Sequence, residues 1–224
     1  AMALAEWTGG SSVLLNLEGH GREQLLGGED VSRTVGWFTS MFPVVLDVPD
    51  PADPAATLKS VKEQLRAIPR RGLGFGVLRY LADDETRERL AALPHPAIGF
   101  NYMGQLGQGG SQAPADQLLH LAEESSGFPI GEQNLRPHVI DLGGVTTDGQ
   151  FTFSVRYSDT VHDAATVEPL LEHLRAALDR LIDHCTSRDS GGFTPSDFKL
   201  APIDQAGLDR LVGRYGRDAI EDIY

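Results

Sequence analysis

The chain has 224 residues, 41% of them hydrophobic, which suits one globular domain with a substantial core. Nineteen basic residues against 32 acidic ones give a net charge of −13, which argues against binding to nucleic acid or to an anionic membrane surface. No apolar run approaches the ~20 residues that a membrane span needs, and the single cysteine, Cys185, excludes an internal disulfide. A cytoplasmic protein is therefore expected.

The first half of the chain predicts two strands followed by helices. Alternation along the apolar run at 12–17 divides its side chains between two faces, one with Leu14, Asn16 and Glu18 and the other with Val13, Leu15 and Leu17. The aromatic and β-branched run at 37–48 predicts a second strand, and Pro43 within it requires a sheet edge or a bulge. Apolar residues at helical spacing between Asp53 and Pro69 predict a helix, and two shorter helices follow, at about 75–81 and 85–93.

The second half predicts a strand and a hairpin. The run at 97–102 predicts a buried strand, the Gly/Gln-rich stretch 105–115 predicts a loop, and residues 118–121 fit helix or strand equally. The clearest hairpin joins 138–145 to 150–157, because an Asp-Gly pair between the two runs supplies the backbone angles of a tight turn.

A long amphipathic helix is predicted next, with Thr166 as its N-cap and an apolar stripe that ends at Cys185. The stripe predicts that this helix covers a sheet and that Cys185 is a buried structural thiol. A short helix at about 204–215 follows a Ser/Gly/Pro-rich stretch. At the other end, residues 1–3 are interpreted as partly a remnant of expression cloning and are left out of the predicted fold.

The stretch most typical of a functional site is Glu18–Glu23, Glu-Gly-His-Gly-Arg-Glu, directly after the first predicted strand. A carboxylate at the end of a buried strand needs partners, and His20 and Arg22 are the nearest candidates. The two glycines allow a tight bend and the close approach of a ligand. A solvated charged turn fits the pattern equally well, so the residues alone leave both interpretations open.

Three further motifs follow Glu18–Glu23 along the chain: Arg33–Leu46 (RTVGWFTSMFPVVL), Pro69–Gly76 (PRRGLGFG) and Phe100–Gly104 (FNYMG). The set resembles the EGHGRE, RTVGWFTxxYPxxL, PxxGxGYG and FNYLG motifs of the epimerization domains of nonribosomal peptide synthetases, which belong to the condensation-domain superfamily. Phe42 and Phe75 stand where the family has tyrosine.

This resemblance implies a fold and an extent. The implied fold is α/β, the chloramphenicol-acetyltransferase-like C-terminal lobe of the family, with a mixed sheet packed against helices. The family's HHxxxDGxSW motif carries its catalytic histidine, and this sequence contains no His-His pair. Residues 4–187 are therefore interpreted as the C-terminal half of an epimerization domain. Residues 188–224 are interpreted as a linker with a short helix that leads toward a downstream condensation domain.

The resemblance also implies an activity. Epimerization domains invert the α carbon of an aminoacyl or peptidyl thioester, held on the phosphopantetheine arm of a carrier domain, by removing and returning a proton. Glu18 is the expected catalytic residue, opposite a histidine of the upstream lobe. His20 and Arg22 are expected to fix Glu18. Asn101 and Tyr102 match family positions at the substrate tunnel, where they are expected to orient the thioester or the carboxylate, and Trp37 is expected to border the tunnel. Core packing is the other interpretation of Trp37.

No cofactor is expected on this chain itself, since the arm of the carrier domain holds the substrate. No metal is expected, because His173 and His184 lack carboxylate or cysteine partners at ligand spacing. The expected partners are the upstream N-terminal lobe of the same domain, a peptidyl carrier domain and a downstream condensation domain. Two alternatives stay open: a condensation domain that forms peptide bonds, and a non-catalytic interaction module of the same superfamily.

Overall fold

The structure, a computed structural model, describes residues 1–22, 30–31, 33–106, 124–125, 127, 131, 133–147, 149–187 and 191–223. Within these residues the strands are β1 (Ser12–Gly19), β2 (Ser40–Asp47), β3 (Ile98–Leu106), β4 (Ile140–Thr147) and β5 (Gln150–Tyr157). The α-helices there are α1 (Met2–Thr8), α2 (Pro54–Ala67), α3 (Leu73–Leu81), α4 (Asp84–Ala91), α5 (Ala164–Thr186) and α6 (Gln205–Tyr215).

The described strands form one mixed sheet in the order β2-β1-β3-β4-β5. The central pairs β1–β3 and β3–β4 are parallel, whereas the outer pairs β1–β2 and β4–β5 are antiparallel. Helices pack against this sheet, so the predicted α/β fold is confirmed. Pro43 lies in β2, which is an edge strand, and an edge is the position at which a strand tolerates proline.

One face of the sheet carries the core. Val13 and Leu15 of β1 pair with Leu46 and Val44 of β2, and all four side chains are buried. Helices α1 and α5 contribute buried residues to the same cluster. The predicted alternation along β1 is therefore confirmed, and it leaves the polar side chains of β1 on the opposite face.

The helix α1 corrects the interpretation of the first residues. Met2 and Ala3 are only 4% and 2% exposed, and they belong to the core instead of to a disposable extension. Glu6 of α1 pairs with Arg180 of α5 at 2.6 Å, and the Trp7 indole Nε1 donates to the Thr166 carbonyl at 3.0 Å. These contacts tie α1 firmly to α5.

The long helix α5 differs from its prediction at both ends. It begins at Ala164 after the cap residue Asp163, so Thr166 is not its N-cap and Pro169 is its sixth residue. The predicted burial of Cys185 is wrong, because that residue is exposed and Ile182 one turn before it is already 57% exposed. The last turn of α5 therefore faces solvent.

Two smaller predictions also meet the structure. Asp53 caps α2 by accepting hydrogen bonds from the backbone N–H groups of Ala55 and Ala56, as predicted. Strand β3 continues to Leu106, which corrects the start of the predicted loop. The remainder of that loop, 107–115, and the undecided residues 118–121 lie outside the described residues.

Part of the described chain after α5 packs against the rest of the fold. Thr194, Phe198 and Leu208 are at most 5% exposed. Asp197 accepts hydrogen bonds from Lys62 Nζ at 2.7 Å and from Arg66 Nη1 at 2.9 Å, both on α2. The start of the segment interpreted as a linker thus packs against α2, while the division of the chain near residue 187 stays a prediction.

The hydrogen bonds that Asp197 accepts from Lys62 and Arg66 predict that the stability of the fold depends on pH. Burial alone raises the pKa of Asp197, but hydrogen bonds from Lys62, the Thr194 backbone and Arg66 outweigh it and lower the pKa to about 2. Because the folded-state pKa is depressed, the stabilisation is present above about pH 4 and is lost as the pH falls toward 2. Asp197→Asn should therefore lower the free energy of unfolding by about 1–2 kcal/mol at pH 6 and by much less at pH 2.

Urea unfolding of both proteins from pH 6 to pH 2 measures this difference. Asp209→Asn is the matched control, since Asp209 pairs with Lys59 at 3.3 Å with its side chain 56% exposed. If Asp197→Asn lowered the free energy of unfolding equally at pH 6 and at pH 2, the predicted contribution of the ionised Asp197 would be contradicted.

Candidate active site

The candidate site is built around Glu18, the penultimate residue of β1. The amide Nδ2 of Asn101 donates a hydrogen bond to Glu18 Oε2 at 2.5 Å, across 83 residues of sequence. The parallel register of β1 and β3, in which Leu17 lies opposite Phe100, places the next residues of the two strands side by side. Two sequence motifs therefore meet at one pair of side chains.

Glu18 is exposed, which differs from the buried strand end expected from the sequence. Its Oε1 has no hydrogen-bond partner among the residues that the structure describes, whereas Oε2 is held by Asn101. A carboxylate that is fixed through one oxygen and accessible through the other can exchange a proton with a bound molecule.

Arg22 contacts the segment that precedes β2. Its Nη1 donates to the carbonyls of Val31 and Thr34 at 2.7 and 2.9 Å, and its Nη2 donates to the carbonyl of Gly36 at 3.1 Å. The guanidinium also lies 4.4 Å from the centre of the Phe38 ring, within cation–π distance. These contacts of Arg22 therefore hold the start of the second motif against the first motif.

Gly21 completes this junction. Its φ of +66° is favourable only for glycine, and a Cβ built on it would lie 1.7 Å from the Phe38 carbonyl oxygen. The Nδ1 atom of His20 accepts a hydrogen bond from the Arg22 backbone N–H at 3.1 Å, which shapes the same turn. Only glycine can therefore pass this close to the segment before β2.

The third motif packs on the second. A Cβ on Gly72, whose φ is +81°, would lie 2.2 Å from atoms of the Phe42 ring, and Phe42 itself is only 7% exposed. The segment before α3 is thus seated on β2. The described residues of the four motifs, which are scattered over the first half of the chain, are thus connected through contacts at the end of β1 and at β2.

Two predicted site residues lie away from the Glu18 carboxylate. Tyr102 follows Asn101 in β3 and therefore points to the opposite face of the sheet, where its hydroxyl lies 3.3 Å from Thr146 Oγ1. Trp37 precedes β2 and is 92% exposed, so the interpretation of core packing is wrong for this residue. The Glu23 of the first motif lies outside the described residues.

A polar cluster that the sequence analysis did not single out lies on the same face as Glu18. The Asn16 amide Nδ2 donates to His138 Nε2 at 3.0 Å, so the ring proton sits on Nδ1, which lies 3.0 Å from Asp141 Oδ1. Arg136 Nη2 pairs with the other Asp141 oxygen at 2.9 Å. A Cβ on Gly99 would lie 2.5 Å from His138 Nδ1, so the space beside the cluster requires glycine. In the sequence, the His-x-x-Asp spacing of His138 and Asp141 at the start of β4 was the signal that could have indicated this cluster.

Arg22→Lys tests the junction between the first two motifs. An ammonium group cannot reach three carbonyls as a planar guanidinium does, so we expect a loss of about 1–3 kcal/mol in unfolding free energy. Faster amide hydrogen exchange should be confined to residues 33–38 and the adjoining turn. Arg33→Lys is the control, because Arg33 lies in the same segment with its side chain exposed. Unchanged exchange in Arg22→Lys would show that the contacts do not order this segment.

Metal sites and membrane spans find no support in the described part of the chain. Among the residues that the structure describes, no three His, Cys, Asp or Glu side chains are grouped where they could hold a metal ion. No described helix combines the length and apolar character that crossing a membrane requires. The polar groups around Glu18 are therefore the principal candidate for chemistry in the described chain.

Comparison with known sequences identifies many relatives. The chain is 45% identical over 99% of its length to one of the linear gramicidin synthase proteins of Brevibacillus parabrevis, and it spans 3% of the length of that protein. It is 37% identical over 94% of its length to surfactin synthase subunit 1 of Bacillus subtilis (strain 168), of which it spans 6%. The chain thus corresponds to a small part of each of these relatives.

Comparison with solved structures gives the same fold. The epimerization domain from the third module of tyrocidine synthetase B superposes with a TM-score of 0.70 at 34% identity, over 82% of this chain and 40% of that one. The PapA2 acyl transferase shares the fold at 14% identity, with a TM-score of 0.52 over 84% of this chain and 37% of that one. The sequence model of the condensation domain matches residues 1–203. The chain therefore belongs to the condensation-domain family, as its four motifs predicted.

Proposed function

We propose that this chain forms the C-terminal half of an epimerization domain that converts L- to D-configured residues on a peptide synthetase. The substrate is an aminoacyl or peptidyl thioester on the phosphopantetheine arm of a carrier domain, and Glu18 serves one face of its α carbon. The observation that carries the proposal is the Glu18–Asn101 pair, an exposed carboxylate held in place by a neutral amide.

The chemistry requires two groups on opposite sides of the substrate. The proton on the α carbon of a thioester is weakly acidic, so its removal needs a positioned base and its return needs an acid on the other face. Glu18 can perform either role through Oε1, because Asn101 orients the carboxylate by its contact with Oε2. The second group is the histidine that the family resemblance assigns to an upstream lobe.

Asn101 is better suited than a cation to hold this carboxylate. The Asn101 amide orients the carboxylate through one hydrogen bond to Oε2 and adds no charge beside it. Arg22 makes its described hydrogen bonds with backbone carbonyls instead. Oε1 of Glu18, which has no hydrogen bond with a described residue, is thus left available to a bound substrate.

The solved neighbours support epimerization over peptide-bond formation. The neighbour at 34% identity is an epimerization domain, whereas a condensation domain of the enacyloxin polyketide synthase matches at 20% identity and supports the fold alone. Condensation remains the second candidate, because the family model that matches is that of the condensation domain. A carrier domain is the partner in either case, and no cofactor on this chain is needed for proton transfer.

Solvent deuterium exchange tests the proposal. A complete domain that includes the upstream lobe should incorporate deuterium at Cα of an L-aminoacyl carrier protein in heavy water, and it should yield both enantiomers. This chain alone should give no exchange above background, because the histidine and half of the tunnel walls that position the substrate belong to the upstream lobe. Amide formation between two loaded carriers, without exchange at Cα, would favour condensation. Clear exchange by the chain alone would contradict the shared site.

A further inference from the structure

His138 is a buried histidine that the proposed mechanism does not use. It is only 5% exposed, and both of its ring nitrogens are engaged: Nε2 accepts a hydrogen bond from Asn16 Nδ2, and Nδ1 donates to Asp141 Oδ1. Because a buried polar atom without a partner is destabilising, these two contacts fix the orientation of the ring. Arg136 anchors Asp141 in turn, through the other carboxylate oxygen. The ring of His138 is therefore held rigidly, and neither nitrogen is left for a substrate.

The ring of His138 occupies a gap in the sheet. In the register of the strands, Gly99 of β3 lies between Asn16 of β1 and Asp141 of β4. A Cβ on Gly99 would lie 2.5 Å from His138 Nδ1 and 2.8 Å from Asp141 Oδ1, so the imidazole fills the place of a side chain at position 99. His138 thus joins β1 to β4 across the strand between them.

This bridge lies where the backbone pairing of the site is shortest. In the described residues, β1 pairs with β2 along its whole length, but it pairs with β3 at only two successive positions, of which Asn16–Gly99 is the first. The hydrogen bond from Asn101 to Glu18 comes directly after those two positions. Asn16 and Glu18 lie two residues apart on one face of β1. A contact that holds Asn16 therefore also limits the movement of Glu18 relative to β3.

We propose that His138 is a positioning residue for epimerization. By accepting the hydrogen bond from Asn16, it holds β1 in register with β3 and so keeps the Glu18 carboxylate within reach of Asn101. The inference rests on the epimerase function proposed above. His138 acts through Asn16 and is not itself a catalytic residue, because both of its ring nitrogens are engaged.

Two substitutions of His138 remove the same ring but keep opposite contacts. The amide of His138→Asn reaches the position of Nδ1 and can still donate to Asp141, whereas the longer His138→Gln side chain reaches the position of Nε2 and can still accept from Asn16. In a complete domain, His138→Asn should lower kcat about 10- to 30-fold, with KM for the loaded carrier changed by less than about twofold. His138→Gln should keep kcat within about threefold of the unmodified domain. A role in stability alone would lower kcat equally in both variants.

NMR of this chain alone gives a readout that needs no turnover. The side-chain amide signal of Asn101 reports the hydrogen bond to Glu18. We expect His138→Asn to move this signal toward that of a free amide and His138→Gln to leave it unchanged. If these signals behaved as expected but the complete domain did not epimerize its substrate, the proposed function would fail while the placement of Glu18 by His138 would be supported.

Asn16→Leu decides the question if His138→Asn does not fold. Leucine is similar in size to asparagine but donates no hydrogen bond, so kcat should fall about as far as in His138→Asn. The double variant should lose no more than His138→Asn, because both changes remove one shared contact. Additive losses in the double variant, near-normal kcat in Asn16→Leu, or equal losses in His138→Asn and His138→Gln would each overturn the proposal.

Discussion

Replacement of Glu18 by glutamine in a complete domain should lower the rate of epimerization by about two to four orders of magnitude, the usual contribution of a positioned general acid or base. Glutamine keeps the shape of the side chain and can still accept a hydrogen bond from Asn101 Nδ2. It cannot take up and return a proton. The loss should therefore appear in kcat, with little change in the binding of the loaded carrier.

Glu23→Gln is the matched control, because it alters the other carboxylate of the same motif. It should reduce the rate far less if Glu23 only braces the turn after β1. Asn101→Asp tests the same contact by changing its donor. A carboxylate at position 101 would repel Glu18 instead of donating a hydrogen bond to it. A near-normal rate for Glu18→Gln together with failure of Glu23→Gln would mean that the two carboxylates have the opposite roles.

Gly21→Ala should be the most damaging change outside Glu18. Its Cβ would lie 1.7 Å from the Phe38 carbonyl oxygen, so either the turn after β1 or the segment before β2 has to move. The positive φ adds strain of about 1–3 kcal/mol for a residue other than glycine. Because Glu18 lies at the start of this turn, a shift of about 1 Å should lower activity roughly 100-fold.

Gly19→Ala offers a control within the same motif. Its Cβ would meet Ser40 Oγ at 3.2 Å, a contact that a small movement of the serine relieves. Activity and amide exchange of residues 33–38 should be measured for both variants. Gly21→Ala should show fast exchange and low activity, and Gly19→Ala should show neither. Equal activity of the two variants would contradict the close packing of the first two motifs.

The elements that the sequence predicted well are those with local signals. Strand β1 shows alternation over its whole length, and the β4–β5 hairpin has paired apolar runs around a tight turn. The cap at Asp53 similarly depends on residues within one helical turn. Such signals need no knowledge of distant contacts, which is why a single sequence reveals them.

The contacts of the candidate site were less predictable, because they join distant parts of the chain. From the residues alone, His20 and Arg22 were the expected partners of Glu18, since they are its neighbours in sequence. Only the family resemblance pointed to Asn101, 83 residues away, from which the structure shows a hydrogen bond. The parallel pairing of β1 with β3 creates that contact, and no local pattern indicates which strands will pair.

Whether a side chain is buried also depended more on the packing of neighbouring elements than on residue type. Cys185 was expected inside and core packing was one of the two interpretations of Trp37, yet both residues are exposed. Met2 was set aside with the first residues, yet it is only 4% exposed because α1 packs on α5. Residue type sets a preference for burial, but the neighbouring elements decide whether a cover exists.

The most direct test of Glu18 compares deuterium uptake at Cα from the two enantiomers of a loaded carrier, using the complete domain with Glu18→Gln in heavy water. If Glu18 serves one face and the upstream histidine serves the other, the histidine still removes a proton from one enantiomer and returns deuterium to the same face. Deuterium should then enter one enantiomer with little inversion, while the other exchanges slowly. Equal uptake from both enantiomers, with inversion at a near-normal rate, would contradict the role proposed for Glu18.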